Sequence, residues 1–173
     1  MYCGALTLGA LLKESGAALW LAQSFLKIMG IFGVTSGFGL WVGLSGLSGL
    51  ITNFMSDAGT TALLGPIVIP MGIMTGVPGE PWAVGLGVAF ATSFAHFLIV
   101  GTPNNAIVYG LGVYPDTGEK MIHPMDFLKY GFILWLLSMA VVWIVGFLFI
   151  YNIVGFPEGI LETARSVMEH GAH

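Results

Sequence analysis

Charged side chains are so sparse along this chain that they partition it. Residues 28–56, 58–79, 81–115 and 130–157 contain no Asp, Glu, Lys or Arg. A spanning helix needs roughly 20 consecutive apolar residues, and each run reaches that length. Within the runs, glycine, proline and short polar clusters mark where helices stop. They predict N-terminal membrane or connecting helices over 1–38, built from an apolar piece at 3–12, the polar group Lys13-Glu14-Ser15-Gly16 and a second segment at 17–29. Lys13, Glu14 and Lys27 mark edges near water. Residues 39–75 read as two short apolar arms, about 39–55 and 60–74, joined by the polar tip SDAGTT at 56–61. Each arm is short for a full crossing, so the pair is expected to form a re-entrant hairpin. Pro66 and Pro70 in its second arm are tolerated where neighbouring helices support the backbone. After a turn at 76–81, residues 82–112 are expected to form a broken transmembrane helix, with a first half to Val100 and a continuation from Ala106. A hydrophilic loop at 113–129, a last transmembrane helix at 130–155 and a tail at 156–173 complete the chain.

Composition agrees with this pattern. Of the 173 residues 56% are hydrophobic and 8% charged, against about 25% charged in a soluble domain, and the mean hydropathy is +0.90. The fold class is therefore all-α, a polytopic helical membrane protein. The net charge of −4 lies mainly in the loop and the tail and says little about partners, and no nucleic acid is expected. The lone Cys3 cannot form an internal disulfide and is expected to be a small packing residue. Met1-Tyr2-Cys3 enters an apolar segment with no basic n-region, which argues against a signal peptide and is expected of a chain that begins inside a larger protein. In the first arm, Gly39, Gly43, Gly46 and Gly49 recur at helical spacing, as expected where helices in lipid pack closely through small residues.

The chemistry concentrates at two interruptions. Thr102-Pro103 has the form of a helix N-cap followed by proline at the first helical position. Ser56-Asp57 has the same form for the second hairpin arm, since both residues cap well. Each follows an apolar run, so each helix start lies at bilayer depth. There a helix N-terminus offers N–H donors and roughly half a positive charge to an anion, and the carbonyls ending the preceding segment suit a small cation. Transporters build midplane sites from such discontinuous helices.

TNFMSDAGTTALLGPIVIP and VGTPNNAIVYG resemble the two signature stretches in the C-terminal half of the divalent anion:sodium symporters, carriers of dicarboxylates, citrate and sulfate within the ion transporter superfamily. The family hairpin typically reads T-x-x-x-S-N-T and its broken helix A-T-P-P-N-A-I-V. The resemblance implies one inverted repeat of a two-repeat elevator transporter, a homodimer when complete, whose N-terminal half supplies the other sodium site and half the substrate site. It implies a sodium ion held by Thr52, the Met55 carbonyl, Asp57 and the Gly101 backbone. It implies a small anionic substrate gripped at Ser56, Asp57, Ala58, Thr102 and Pro103, with Asn105 of the same motif beside them. Three departures stand out: Asp57 replaces the motif Asn, Ala58 its Thr and Asn104 its second Pro. They bear on substrate identity and on whether sodium or a proton is the coupling ion. By the family's arrangement the loop at 113–129 is cytoplasmic, the hairpin enters from outside and the C-terminus ends outside. Lys120 and Lys129 against Arg165 support that orientation only faintly.

The resemblance implies a cation-coupled anion carrier in the plasma membrane (the inner membrane of a bacterium), not an enzyme. An intramembrane Asp also suits a sodium/proton antiporter-like relative, and the single repeat suits a non-transporting subunit of a split carrier. His96, expected in the helix before the break with Ser93 one turn earlier, is a transport candidate because it is ionisable at depth. Its alternative is a bond to a backbone carbonyl. Trp41, Trp82, Trp135 and Trp143 are either interfacial anchors or packing residues. In the tail, Ile160, Leu161, Ala164, Val167 and Met168 fit one face of a surface helix, and Glu169, His170 and His173 are too scattered to make a convincing metal site.

Overall fold

The computed structural model describes residues 7, 10–12, 14–31 and 33–154. Cys3, the tail helix and the Glu169, His170 and His173 group lie outside them. The regular secondary structure of the described residues is helical apart from one isolated antiparallel bridge between Val113 and Lys120. The helices are α1 (Ala17–Ile31), α2 (Gly37–Ile51), α3 (Asp57–Met74), α4 (Glu80–Thr92), α5 (Pro103–Leu111) and α6 (Pro124–Val141). α6 runs on with π-type winding over Val142–Val154. Among the described residues two helices are long and apolar enough to cross a membrane, Asp57–Met74 and Pro124–Gly146. The architecture is that of part of a helical membrane transporter.

α2 and α3 make little contact with each other; both pack mainly on α4. In α2 the buried residues Leu40, Trp41, Leu44, Ser45, Ser48 and Gly49 follow helical spacing and form one stripe. Of these, Leu40 and Leu44 meet Leu64, Ile67, Val68 and Met71 of α3, Val84 and Val88 of α4, and Ala22 of α1 in the main core. Pro66 and Pro70 sit inside α3 without ending it. Gly72 lets α3 reach α4, because a Cβ there would lie 2.6 Å from the Cα of Pro81.

The last helix is fastened to α2 by tryptophans. Trp135 Nε1 donates to the Gly49 carbonyl at 3.0 Å, and Trp143 Nε1 donates to Ser45 Oγ at 2.9 Å. Trp41 lies against Gly87 of α4 and Gly146 of the last helix. These three are packing residues, and Gly46 and Gly49 of the glycine-rich arm receive the rings of Trp143 and Trp135. Trp82 and Gly85 of α4 line a cavity together with Ile69 of α3.

Several boundaries differ from expectation. The second arm begins at Asp57 rather than residue 60 and has 18 residues, about 27 Å of helix, so it is long enough to count as a span. The helix expected to reach Val100 ends at Thr92, because side chains from three places take up the backbone groups that further helix would have used. His96 accordingly lies in non-helical chain, with its Nε2 3.5 Å from Ser138 Oγ. The loop expected to run to residue 129 ends at His123: Pro124 starts α6, and the Asp126 carboxylate accepts from His123 N–H at 2.8 Å. Within that loop, Lys120 Nζ donates to the carbonyls of Tyr109 and Gly110 at 3.0 and 3.3 Å, closing the C-terminus of α5 with the charge its dipole favours.

Glu80 separates the charge-free runs 58–79 and 81–115. It is 1% exposed and accepts from the Gly37 backbone N–H at 2.8 Å. A carboxylate at the start of α4 thereby serves an orphan donor at the start of α2. This bond holds the two helix origins together.

Candidate functional site

Two capped helix starts border the site. Ser56 Oγ accepts from Gly59 N–H at 3.2 Å and caps α3. Thr102 Oγ1 accepts from Asn105 N–H at 3.3 Å and caps α5, with Pro103 as its first residue. Asp57 is the first residue of α3 rather than its cap.

Between α4 and α5, residues 93–102 are not helical. Buried backbone polar groups need partners, and three side chains supply them. Thr52 Oγ1 donates to the Thr92 carbonyl at 2.6 Å. Asn53, fully buried at the hairpin tip, accepts from Phe97 N–H at 3.1 Å, while its amide donates to the Gly49 carbonyl at 2.7 Å and reaches that of Phe94 at 3.5 Å. The Asn105 amide donates to the carbonyls of Ala95 and Leu98 at 2.7 and 2.9 Å. The break is thus stitched to the hairpin tip from one side and to the start of α5 from the other.

Glycine permits the closest approaches. A Cβ on Gly101 would lie 2.9 Å from the Asn53 carbonyl oxygen. A Cβ on Gly131 of α6 would overlap the His96 carbonyl and crowd Phe97. Phe97 also packs edge-on to Phe132 and Trp135, so the non-helical segment rests on α6.

Thr52 and Asp57, expected together from the sequence, are joined: Thr52 Oγ1 lies 3.0 Å from Asp57 Oδ1. Met55 is in the tip between them, its N–H on the Ile51 carbonyl at 3.2 Å. Gly101 packs on Asn53. Ser56 and Pro103 are exposed, whereas Asp57, Ala58, Thr102 and Asn105 are half-buried. Asn105 has its amide committed to the break, which makes it a brace as well as a motif residue. Sequence reasoning missed Asn53 and Thr92. The signal for Asn53 was available: a carboxamide inside a charge-free run has to be satisfied by the protein itself.

The pattern describing the transmembrane region of sodium:sulfate symporters matches residues 1–156. An uncharacterized transporter of Methanocaldococcus jannaschii is 33% identical over 150 residues, covering 87% of this chain and 31% of the relative. An uncharacterized transporter of Haemophilus influenzae is 33% identical over 151 residues, covering 86% and 30%. A sodium-dependent dicarboxylate transporter of Staphylococcus saprophyticus is 28% identical over 155 residues, covering 90% and 27%. The chain thus spans less than a third of the length of these relatives. No solved structure matches it. All three relatives are transporters, which sets the chain among membrane transport proteins rather than enzymes. With nearly its whole length matched, the chain belongs to the sodium:sulfate symporter family.

Proposed function

We propose that this chain is the C-terminal portion of a cation-coupled secondary transporter for small divalent anions of the dicarboxylate, citrate or sulfate class. It would be one of two inverted repeats in an elevator carrier of the plasma membrane, paired with an N-terminal half and dimeric when complete. One observation carries the reading: the capped N-termini of α3 and α5 are tied to one tip through Asn53 and the close approach at Gly101. N–H donors at both starts suit an anion. The Thr52 hydroxyl and the Asp57 carboxylate beside them suit a hard cation. Sodium is the coupling ion that the family's description and the staphylococcal relative's name support. On this reading Ser56, Asp57, Ala58, Thr102, Pro103 and Asn105 form the substrate side, with the cation at Thr52, Met55, Asp57 and Gly101. Ser56 and Pro103 are open on the surface, where a second half would close the site.

Uptake of labelled succinate, citrate and sulfate by proteoliposomes of the complete carrier, with and without a sodium gradient, tests the proposal. Sodium/proton exchange with no anion uptake would instead favour the antiporter reading, for which the Asp57 carboxylate is the supporting observation. Thr102→Val removes the cap bond to Asn105 while preserving shape. Loss of an N-cap alone costs about 0.5–2 kcal/mol, and a lost substrate hydroxyl adds to it. The variant is expected to transport with a KM raised roughly tenfold or more. An unchanged KM would reduce Thr102 to a kink residue.

A further inference from the structure

The oxygens around Asp57 carry too few hydrogens for their own contacts. A threonine hydroxyl has one hydrogen to give. Thr52 Oγ1 lies 2.6 Å from the Thr92 carbonyl and 3.0 Å from Asp57 Oδ1, so giving its hydrogen to the nearer acceptor leaves a lone pair facing the carboxylate. Thr92 gives its hydrogen to the Ala89 carbonyl at 2.7 Å, and Thr61 gives its own to the Asp57 carbonyl at 2.9 Å. Their two hydroxyl oxygens nevertheless sit 3.1 Å apart. Hydrogen-poor oxygens drawn from α3, α4 and the hairpin tip are the donor set that a hard cation takes.

A second observation is independent of those bonds. Thr60 follows Asp57 by three residues and therefore shares its helix face. It is fully buried, and among the described residues its Oγ1 has no hydrogen-bond partner. A helical threonine with nothing else to do can fold its hydroxyl back onto the carbonyl four residues earlier, as Thr61 does onto Asp57. Thr60 makes no such bond to Ser56. A buried hydroxyl without a partner is destabilising, and an ion is one of the explanations such a group calls for.

We propose that the Thr60 hydroxyl is a ligand of the coupling cation, completing an all-oxygen site with Thr52, Asp57 and the Thr92 carbonyl. The inference rests on the cation-coupled reading above and adds to it two oxygens, from Thr60 and Thr92, at positions outside the T-x-x-x-S-N-T and A-T-P-P-N-A-I-V patterns. Its ligand is a small, desolvated monovalent cation, with sodium as the probe.

The test is sodium-dependent thermal stabilisation of the complete carrier in detergent, titrated against a choline background, for the native protein, Thr60→Val and Thr60→Ser. Valine keeps the volume and removes the unpartnered hydroxyl, so the fold should survive. The sodium concentration for half-maximal stabilisation should rise about tenfold or more in Thr60→Val and stay near the native value in Thr60→Ser. Equal sodium responses in the native protein and Thr60→Val would overturn the proposal and leave sodium coupling standing. So would a loss in Thr60→Ser as large as that in Thr60→Val, because the hydroxyl would not then be the cause. A native carrier neither stabilised nor driven by sodium would overturn this proposal together with the sodium-coupled reading.

Discussion

Replacing Asn53 with Leu is expected to collapse the break between α4 and α5. The side chain is fully buried, and its two ends serve the Phe97 N–H, the Gly49 carbonyl and, at the limit of hydrogen-bond distance, the Phe94 carbonyl. Leucine matches the size but offers neither donor nor acceptor. Each buried backbone group left unsatisfied costs about 1–3 kcal/mol, and no water at that depth replaces the lost partner. Two such groups together approach the whole stability of a marginal domain. We expect the variant either to fail to accumulate or to lose substrate transport with a markedly lower unfolding temperature. Hydrogen–deuterium exchange gives the local readout: amides of residues 93–101 should lose protection before those of α3. Unchanged exchange there, with a native melting temperature, would show that Thr52 and Asn105 hold the break without Asn53.

The same residue shows where legibility in the sequence ended. Charge-free runs and capping signals located the hairpin tip and the start of α5, because those signals are local: Ser56 and Thr102 each bond a backbone N–H three residues ahead. The end of α4 was misplaced by eight residues, between Val100 and Thr92. Nothing in the apolar run 93–100 breaks a helix by itself. It unwinds because Thr52 and Asn53, about 40 positions earlier, and Asn105, after the break, take its carbonyls and N–H groups. Glu80 was illegible for a related reason. An acid between two apolar runs looks like an aqueous edge, and only the return of α2 to the start of α4 turns it into a buried partner for Gly37. In the site, the adjacency of Thr52 and Asp57 followed from one short motif. The approach of Thr92 required the packing of α2 on α4, which no motif encodes.

Asp57→Asn should separate the roles open to the carboxylate. Capping is already spoken for, since Ser56 holds the Gly59 N–H and Asp57 is the first helical residue. What the charge adds to α3 as a helix is its attraction to the dipole, about 0.3–1 kcal/mol. Asparagine keeps an oxygen at that position, so the contact with Thr52 at 3.0 Å can persist and the fold should hold. A cation beside it would lose a full negative charge from its ligand set. Charge-assisted contacts are worth about 1.5–3 kcal/mol, which predicts a sodium requirement raised roughly tenfold to a hundredfold with an unchanged pH profile. If Asp57 instead carries the coupling proton, sodium dependence will stay as it was and the acid-side pH dependence of transport will vanish. The carboxylate also stands in the first turn of α3, where on the proposed function it would repel a divalent anion unless a cation neutralises it. At saturating sodium, Asp57→Asn should therefore bind substrate at least as well as the native carrier, and at low sodium its transport should fall well behind. Transport measured on a grid of sodium concentration and pH for both proteins decides the matter. Equal sodium curves would remove Asp57 from the cation site.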